Sequence, residues 1–190
     1  MIDMRTNGWV TAPLLYECMH SFGQYCHKDD TNTFVRRFDR DSDGRLLYSD
    51  FCDAFTPRDP YFAGLLNNRH SAFLHRDVSK FNYFLTDTRE KFFRCFKVHF
   101  EIEESIELIK KRLARRPKFN YHDAFKYIDE LDTGYLCRED FKRVLNKNQS
   151  YPSETELNLI ADRFDKKANG RISYNEFIEE IMPKNTFAAR

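Results

Sequence analysis

Long apolar runs and an apolar N-terminal signal region are both missing from this 190-residue sequence. No stretch of 18 apolar residues occurs, so no transmembrane helix is predicted. Residues 1–5, Met-Ile-Asp-Met-Arg, lack the apolar region of a secretory signal peptide. The five cysteines are odd in number and scattered, which predicts reduced thiols rather than a disulfide framework. We therefore expect a cytoplasmic protein without a membrane partner.

A strong net charge is also missing. The chain has 31 Lys and Arg against 30 Asp and Glu, a formal charge of +1. No basic stripe is strong enough to predict binding to nucleic acid, and highly acidic calcium buffers have a different composition. Methionine is scarce at four residues, whereas phenylalanine reaches 19. This composition favours rigid, aromatic-rich helical cores over the adaptable methionine-lined groove of a promiscuous binder.

One stretch, Asp-Arg-Asp-Ser-Asp-Gly-Arg-Leu-Leu-Tyr-Ser-Asp at 39–50, has the pattern of a metal-binding loop. Asp39, Asp41 and Asp43 alternate, so their carboxylates can converge on one hard cation. Gly44 permits the sharp turn that wraps the loop around the ion. A solvated acidic turn is the alternative, but the complete motif between two helical patterns is specific.

Two more residues complete the predicted site. Arg45 would offer its backbone carbonyl, and Asp50 would close the cage at the twelfth position. The usual residue there is Glu, which binds with both oxygens. Asp50 is one methylene shorter, so we expect one oxygen or a water molecule at the ion. The sequence thus predicts modest calcium affinity and tolerance of Mg²⁺. Thr31 is predicted to cap the helix that enters this loop.

Three further loops of the same pattern appear when other glycines are aligned with Gly44 at the sixth position of the loop. Thirty-six residues separate the starts of the first and second loops, and also of the third and fourth, which predicts two pairs. The eighth position of every loop is apolar. We expect short antiparallel bridges between Val10 and Leu46 and between Leu136 and Ile172. The additional loops cover residues 3–14, 129–140 and 165–176.

On these loops the chain resembles the calmodulin and centrin class of EF-hand proteins over most of its length. The resemblance implies an all-α fold of two EF-hand pairs. These comprise four helix-loop-helix units, mostly degenerate, with short β-bridges between paired loops, and an irregular segment with a long linker helix joins the pairs. It also implies one site for Ca²⁺ or Mg²⁺. The ligand set that carries over is Asp39, Asp41, Asp43, Arg45 and Asp50.

The other loops depart from the family's ligand pattern. The first has Arg5 and Leu14 where ligands belong, and the third has Leu131 and Thr133, so both are predicted to be free of metal. The fourth loop retains a weaker second ligand set, although Lys167 places a cation at a ligand position. That set is Asp165, Asn169, Arg171 and Glu176.

The sequence predicts three parts. Residues 1–56 hold the N-terminal pair, 57–118 an irregular linker with a long helix at about 86–115, and 119–190 the C-terminal pair with its tail. Ser153 and Glu156 form a predicted capping box in the last part. An apolar face is predicted on the linker helix because aliphatic residues recur there at spacings of four, three and four. These residues are Ile102, Ile106, Ile109 and Leu113.

The first loop begins at Asp3, so its entering helix is missing from this sequence. We expect an exposed apolar slot beside Trp9, Leu15 and Met19. Another chain, or a segment preceding this sequence, would fill it. The alternative is a first hand that is simply frayed.

Two classes of function follow. The first is a non-enzymatic structural scaffold that binds partner proteins in a cytoskeletal assembly. Residues 107–125 resemble EF-hand proteins built into the axonemes of cilia and flagella, which implies microtubule association. The alternative is a calcium-responsive regulatory module, and a regulatory part of a larger enzyme stays open. The basic run at 110–116 is a solvated helix face or a contact for an acidic surface such as tubulin.

Two other patterns carry little weight. Residues 75–82, His-Arg-Asp-Val-Ser-Lys-Phe-Asn, match a protein-kinase catalytic loop, but the other kinase motifs are missing. Cysteine and histidine also cluster near residue 20, in a spacing that fits no zinc finger. Ordinary packing explains these better: Cys18, His20, Cys26 and His27.

Overall fold

The computed structural model describes residues 2–3, 7–69 and 84–184. The regular secondary structure of this part is helical except for one two-stranded ribbon and one isolated β-bridge, which confirms the predicted all-α class. None of its helices combines the length and the apolar character needed to cross a membrane. In chain order the elements are β1 (Trp9–Thr11), α1 (Ala12–Ser21), α2 (Lys28–Phe38), β2 (Arg45–Leu47), α3 (Tyr48–Phe55), α4 (Pro60–Asn67), α5 (Thr86–Ala114), α6 (Tyr121–Ile128), α7 (Arg138–Lys147), α8 (Glu154–Phe164) and α9 (Tyr174–Ile181).

The chain forms two compact units, Met1–Ser105 and Ile106–Arg190. The boundary between them falls inside α5, which runs unbroken from Thr86 to Ala114. That helix has nearly the bounds expected from sequence. The predicted three-part division at residues 57 and 119 is a different partition and stays a prediction.

In the first unit, β1 and β2 join the two loops as predicted. Val10 pairs with Leu46 in an antiparallel register. Both side chains are buried, together with Leu15 and Met19 of α1 and Phe34 of α2. The ribbon, α1 and α2 thus share one apolar core.

The N-terminal half of α5 completes this core with aromatic side chains. Phe93 and Phe96 are almost fully buried, and Phe100 is buried as well. The ring of Phe96 lies 5.2 Å from that of Phe34 and 4.7 Å from that of Phe55, between centroids. Such contacts add to the free energy gained from burial. The first unit therefore fills much of its interior with a helix from outside the predicted pair.

This packing corrects the expected slot beside Trp9, Leu15 and Met19 only in part, because Met19 is enclosed whereas Trp9 and Leu15 line an apolar cavity. Leu15 and Met19 are 1 % and 0 % exposed, because the helices α1, α2 and α5 enclose them. Trp9 is partly buried. The cavity that stays open next to Trp9 has a volume of about 270 Å³.

The buried face of α5 is not the predicted one. Ile102 and Ile109 are 48 % and 62 % exposed. The inward face follows spacings of three and four residues, with aromatic side chains first and charged ones after. Helix periodicity alone fits both faces, and the aromatic face makes the tertiary contacts. The inward residues are Phe93, Phe96, Phe100, Glu103, Glu107 and Lys110.

In the second unit, Leu136 pairs with Ile172 across an isolated antiparallel bridge, as predicted. The capping box is also confirmed, since the Ser153 backbone N–H and hydroxyl both donate to Glu156. A second box of the same kind starts α9 at Ser173. The core includes Phe125 of α6, which is held between α7 and α9.

Two local predictions are wrong. The helix that enters the loop at 39–50 begins at Lys28, where the His27 backbone N–H donates to the Asp30 carboxylate at 2.7 Å. Thr31 lies inside that helix. The segment 57–85 is not wholly irregular either, because α4 forms there. Asp59 caps α4, and Pro60 occupies its first turn. Proline is tolerated there because a backbone N–H at that position would have no partner within the helix.

Candidate metal centre

The four loops share one backbone geometry. In the second, the Asp39 carboxylate accepts hydrogen bonds from the N–H groups of Asp43 at 3.3 Å and Gly44 at 2.8 Å. Gly44 has a φ of 82°, in the left-handed region that glycine tolerates best. The same pair of bonds, from the fifth and sixth residues, recurs at Asp3, Asp129 and Asp165.

The loop at 39–50 gathers three acidic side chains. One carboxylate oxygen each from Asp39, Asp41 and Asp43 lies within 4.8 Å of the others. Asp39 is buried, and the other two are exposed. In the described part of the chain, no other group of three His, Cys, Asp or Glu side chains meets this condition. Three carboxylates that close suit a hard cation such as Ca²⁺ or Mg²⁺.

Asp50 is close to the loop but is held by protein donors. Its Oδ2 accepts from the Leu47 N–H at 3.2 Å, and its Oδ1 lies 3.9 Å from Nε of Arg40. Burial raises the pKa of Asp50, and the nearby Asp41 carboxylate raises it further, while those two donors act in the opposite direction. Arg40, which also pairs with Asp53, is not part of the ligand set predicted from sequence.

Arg45 contributes two different groups to this loop. Its guanidinium lies over the Trp9 ring, 4.6 Å from the centroid, with Nε 3.8 Å from Asp43. Its backbone carbonyl is the predicted ligand. The assignment of that carbonyl and of Asp50 as ligands stays a prediction, whereas the convergence of the three aspartates is visible in the fold.

The fourth loop keeps part of a site. Glu176 is buried, and its Oε2 accepts from the Ser173 N–H at 2.9 Å and hydroxyl at 2.6 Å. Its Oε1 is buried without a hydrogen-bond partner. Burial raises the pKa of Glu176, but the Ser173 bonds and the Lys167 charge outweigh burial and lower it overall. A buried carboxylate oxygen at the twelfth position favours a cation, and the positive charge of Lys167 opposes one.

The remaining members of that second set hold the turn. Asp165 accepts from the N–H groups of Asn169 at 3.2 Å and Gly170 at 2.7 Å, and the Asn169 side chain accepts from the Arg171 N–H at 2.9 Å. Both side chains therefore already have protein donors. The fourth loop lacks a third acidic side chain within reach, so it is the weaker of the two candidate sites.

The third loop satisfies its acidic groups with protein donors. Asp129 accepts from the N–H and hydroxyl of Thr133 and from the Gly134 N–H. Burial raises the pKa of Asp129, but these hydrogen bonds outweigh it and the pKa is lowered overall. Asp132 pairs with Lys126. The ammonium group of Lys126 thus lies at the surface of this loop, and the absence of metal from the loop stays a prediction.

The alternative zinc set does not assemble. Cys18 packs in the core of the first unit, where burial raises the pKa of its thiol to about 11. Such a thiol is a poor metal ligand because zinc binds the thiolate. The His20 ring instead lies 3.4 Å from the Cys26 carbonyl oxygen.

Comparison with known proteins agrees with this geometry. A family model described as an EF-hand domain pair matches residues 119–182. The chain is also homologous to EF-hand calcium-binding proteins. Human EF-hand calcium-binding domain-containing protein 6 is 23 % identical over 180 residues, which are 95 % of this chain.

Two more relatives extend this result. The same-named protein of Macaca fascicularis is 22 % identical over 95 % of this chain, and troponin C isoform 2A of the lobster Homarus americanus is 29 % identical over 42 % of it. The chain spans 11 % of the human relative's length, 26 % of the macaque relative's and 55 % of the troponin's. The segment that matches the EF-hand pair model thus lies in a chain that is similar along most of its length to EF-hand proteins.

Proposed function

We propose that this chain is a non-enzymatic EF-hand scaffold. It holds partner proteins in a cytoskeletal assembly and binds one Ca²⁺ or Mg²⁺ in the loop at 39–50. The observation that supports a scaffold is the aromatic face of α5, which is already packed into the first unit. Phe93 and Phe96 are 1 % and 0 % exposed there.

A calcium sensor works differently. Ion binding opens a groove between its helices, and the groove then takes a target. In the first unit the rings of Phe55, Phe96 and Phe100 surround Phe34, with centroid distances of 6.2, 5.2 and 5.9 Å. An ion in the loop at 39–50 would stabilise this closed arrangement rather than expose it. Partner binding then persists without calcium.

The second unit offers a surface for an acidic partner. Lys110 is buried, but Arg112, Arg115, Arg116 and Lys118 are exposed at and after the end of α5. Exposed arginines pair well with carboxylates in two-point contacts. This supports contact with an acidic protein surface, such as that of a microtubule, in an axoneme of a cilium or flagellum. The proposed location is the cytoplasm, with no nucleic-acid or membrane partner.

Absence of catalysis is part of the same proposal. The relatives are described as EF-hand calcium-binding proteins or troponin C. The kinase-like string at 75–82 lies outside the described residues. We expect Asp77→Ala to leave function intact, and phosphate transfer by the purified protein would contradict this.

A calcium-responsive module is the second candidate, and the position of Asp50 favours it. That carboxylate would have to exchange its contacts with Arg40 and the Leu47 N–H for the ion. Such an exchange would couple ion binding to the start of α3. The similarity to troponin C over 42 % of the chain agrees with this alternative.

A pull-down from ciliated cells separates the two candidates. The full chain is used as bait in calcium and in EGTA, with Asp39→Ala as a second bait that cannot bind the ion. The scaffold requires the same partners in all three samples. Release of the partners both in EGTA and by the Asp39 variant would instead establish the calcium-responsive module.

A further inference from the structure

The side chain of Arg45 places a positive charge beside the aspartates of the loop at 39–50. Its Nε lies 3.8 Å from Oδ2 of Asp43, and its backbone N–H donates to Oδ1 of Asp43 at 2.8 Å. The guanidinium is therefore the ion-pair partner of a predicted metal ligand. The side chains of Arg45 and Asp43 are 51 % and 42 % exposed, so water weakens this pair without removing it.

The indole ring of Trp9 restrains that charge. The guanidinium carbon of Arg45 lies 4.6 Å from the centroid of the ring, in the range of a cation–π contact, and tryptophan makes this contact more strongly than the other aromatic residues. Trp9 is partly buried in β1, and the neighbouring Val10 is buried and pairs with Leu46. The ribbon thus anchors the ring. A long side chain that would otherwise sample many rotamers is kept beside Asp43.

The second unit has the same stack without the carboxylate. Arg171, at the corresponding position of the fourth loop, lies over the ring of Tyr135 in the third loop, 6.0 Å from the centroid. Its backbone N–H donates to the Asn169 side chain at 2.9 Å, just as that of Arg45 donates to Asp43. Asn169 is neutral, so Arg171 has no charge to balance at that position. The ion pair, rather than the stack, therefore distinguishes the loop at 39–50 from the fourth loop.

We infer that the Arg45 guanidinium, restrained by Trp9, competes with the metal ion for Asp43 and thereby sets the affinity of the site. A divalent cation bound by Asp43 shares that carboxylate with Arg45, and two cations at one carboxylate repel each other. The contact with Trp9 keeps the guanidinium from turning into solvent to relieve this repulsion. The first loop, which is predicted to be free of metal, thus acts on the second through its tryptophan. The inference rests on the proposed function, because it concerns the regulation of the ion site proposed there.

Calorimetry of Ca²⁺ binding to the full chain and to charge variants of Arg45 tests this inference. Arg45→Gln removes the charge but keeps the backbone N–H and carbonyl, whereas Arg45→Lys keeps the charge. We expect Arg45→Gln to tighten Ca²⁺ binding about two- to fivefold, the range of an exposed charge pair, and Arg45→Lys to change it less than about 1.5-fold. Arg171→Gln is the matched control. It removes the equivalent stack where no carboxylate is paired, so it should leave the affinity of the dominant site unchanged.

The salt dependence separates an effect of charge from a change in loop structure. The screening length is about 10 Å at about 0.1 M salt and about 3 Å at about 1 M. The gain from Arg45→Gln should therefore fall below about 1.5-fold at the higher salt concentration, because the repulsion it removes is then screened. A gain of equal size at both concentrations would mean that glutamine acts on the structure of the loop, and would contradict the inference.

Trp9→Leu tests the restraint on Arg45. Without the ring, Arg45 can turn away from the ion, so we expect tighter Ca²⁺ binding, by a smaller factor than Arg45→Gln gives. In a chain that already carries Arg45→Gln, the same change should have no effect, because Trp9 acts through the charge of Arg45. Trp9 is the only tryptophan, so its emission gives a second readout. Ca²⁺ should change this emission in the unmodified chain, and Arg45→Gln should reduce the change. Circular dichroism checks that each variant folds.

Several results would overturn the inference. Unchanged or weaker Ca²⁺ binding by Arg45→Gln would do so while leaving the proposed ion site in place. Equal tightening by Arg45→Gln and Arg45→Lys would do the same, as would additive effects of Trp9→Leu and Arg45→Gln. Absence of Ca²⁺ binding by the unmodified chain would overturn the inference and the ion site together. The scaffold is tested separately by the pull-down, so failure here and failure of the proposed function are distinguishable.

Discussion

The Nε2 atom of His99 lies 3.2 Å from the backbone carbonyl oxygen of Ala54, which joins α5 to the end of α3. The imidazole ring is packed among phenylalanine rings, with the nearest centroid, that of Phe38, at 5.4 Å. Burial lowers the pKa of His99. The Ala54 carbonyl and Glu103 act to raise it, Arg37 acts to lower it, and burial prevails. The neutral ring is therefore the form that the fold favours.

We predict that acidification weakens the first unit through His99. The unfolded chain takes up the proton near pH 6.5, whereas the folded state takes it up only at lower pH. The stabilising contribution is thus complete above about pH 6.5 and is lost as pH falls toward the lowered folded pKa. Denaturant unfolding between about pH 7.5 and pH 5 checks this. His99→Gln should reduce the change with pH, and an unchanged slope would contradict the prediction.

Phe96 should be the most costly side chain of α5 to shorten. It is 0 % exposed and touches rings from α2 and α3. We expect Phe96→Ala to reduce the free energy of unfolding of the first unit by about 3–5 kcal/mol. Ile102→Ala on the exposed face of the same helix is the control and should cost less than about 1 kcal/mol. If the two variants cost the same in chemical denaturation, α5 does not pack by its aromatic face.

A buried charge cluster should matter in the second unit. Oε1 of Glu180 lies 2.7 Å from Nε of Arg163 and 3.5 Å from Nζ of Lys110. Lys110→Met removes one donor, but Arg163 still neutralises the buried carboxylate. We therefore expect a loss of about 2 kcal/mol, the scale of one hydrogen bond to a charged group. Lys111→Met, one residue further along, should change thermal unfolding little. A stabilised Lys110→Met variant would mean that burying this cation costs more than the pair returns.

The loops are predictable from sequence because their chemistry is local. An aspartate at the first position, a glycine at the sixth and an apolar residue at the eighth are all set within twelve residues. The bridges at Val10–Leu46 and Leu136–Ile172 follow from that local pattern. Turn geometry and hydrogen bonds between residues close in sequence do not depend on the remaining fold.

The face of α5 is not predictable in the same way. Its sequence carries an aliphatic stripe that includes Ile102 and Ile109, and an aromatic stripe that continues into Glu103 and Lys110. Charged residues are normally assigned to solvent. Here distant side chains compensate them, such as Glu180, seventy residues from Lys110. Only tertiary structure brings such partners together, so the pattern of α5 alone could not reveal them.

The contacts of Asp50 are likewise not predictable from sequence. Its place at the twelfth position is plain from sequence, but its contacts with Arg40 and the Leu47 N–H depend on the start of α3. The sequence predicts that Asp50 is a ligand, while the fold shows that its carboxylate already has protein partners. If Asp50 binds the ion, we expect the affinity of the site to depend on this competition.

We predict that calcium binds mainly in the loop at 39–50. Isothermal calorimetry should give one dominant site per chain with modest affinity. Asp39→Ala should weaken binding by more than about 100-fold, beyond the ~10–100-fold typical of losing a group that only supports a ligand. The control is Asp132→Ala in the third loop, where the carboxylate pairs with Lys126, and it should leave binding unchanged. Two or more strong sites would contradict the prediction that the first and third loops bind no metal and that the fourth binds it weakly.

Asp50→Glu tests the twelfth position directly. The longer side chain can reach the ion with both oxygens, which calcium accepts at 2.3–2.6 Å and the tighter octahedral Mg²⁺ does not favour. We expect tighter calcium binding with little gain for Mg²⁺. Arg40→Gln should also tighten binding, because it frees Asp50 from a competing cation 3.9 Å away. If neither variant changes calcium affinity, Asp50 is not a ligand, and the three aspartates would hold the ion with the Arg45 carbonyl and water.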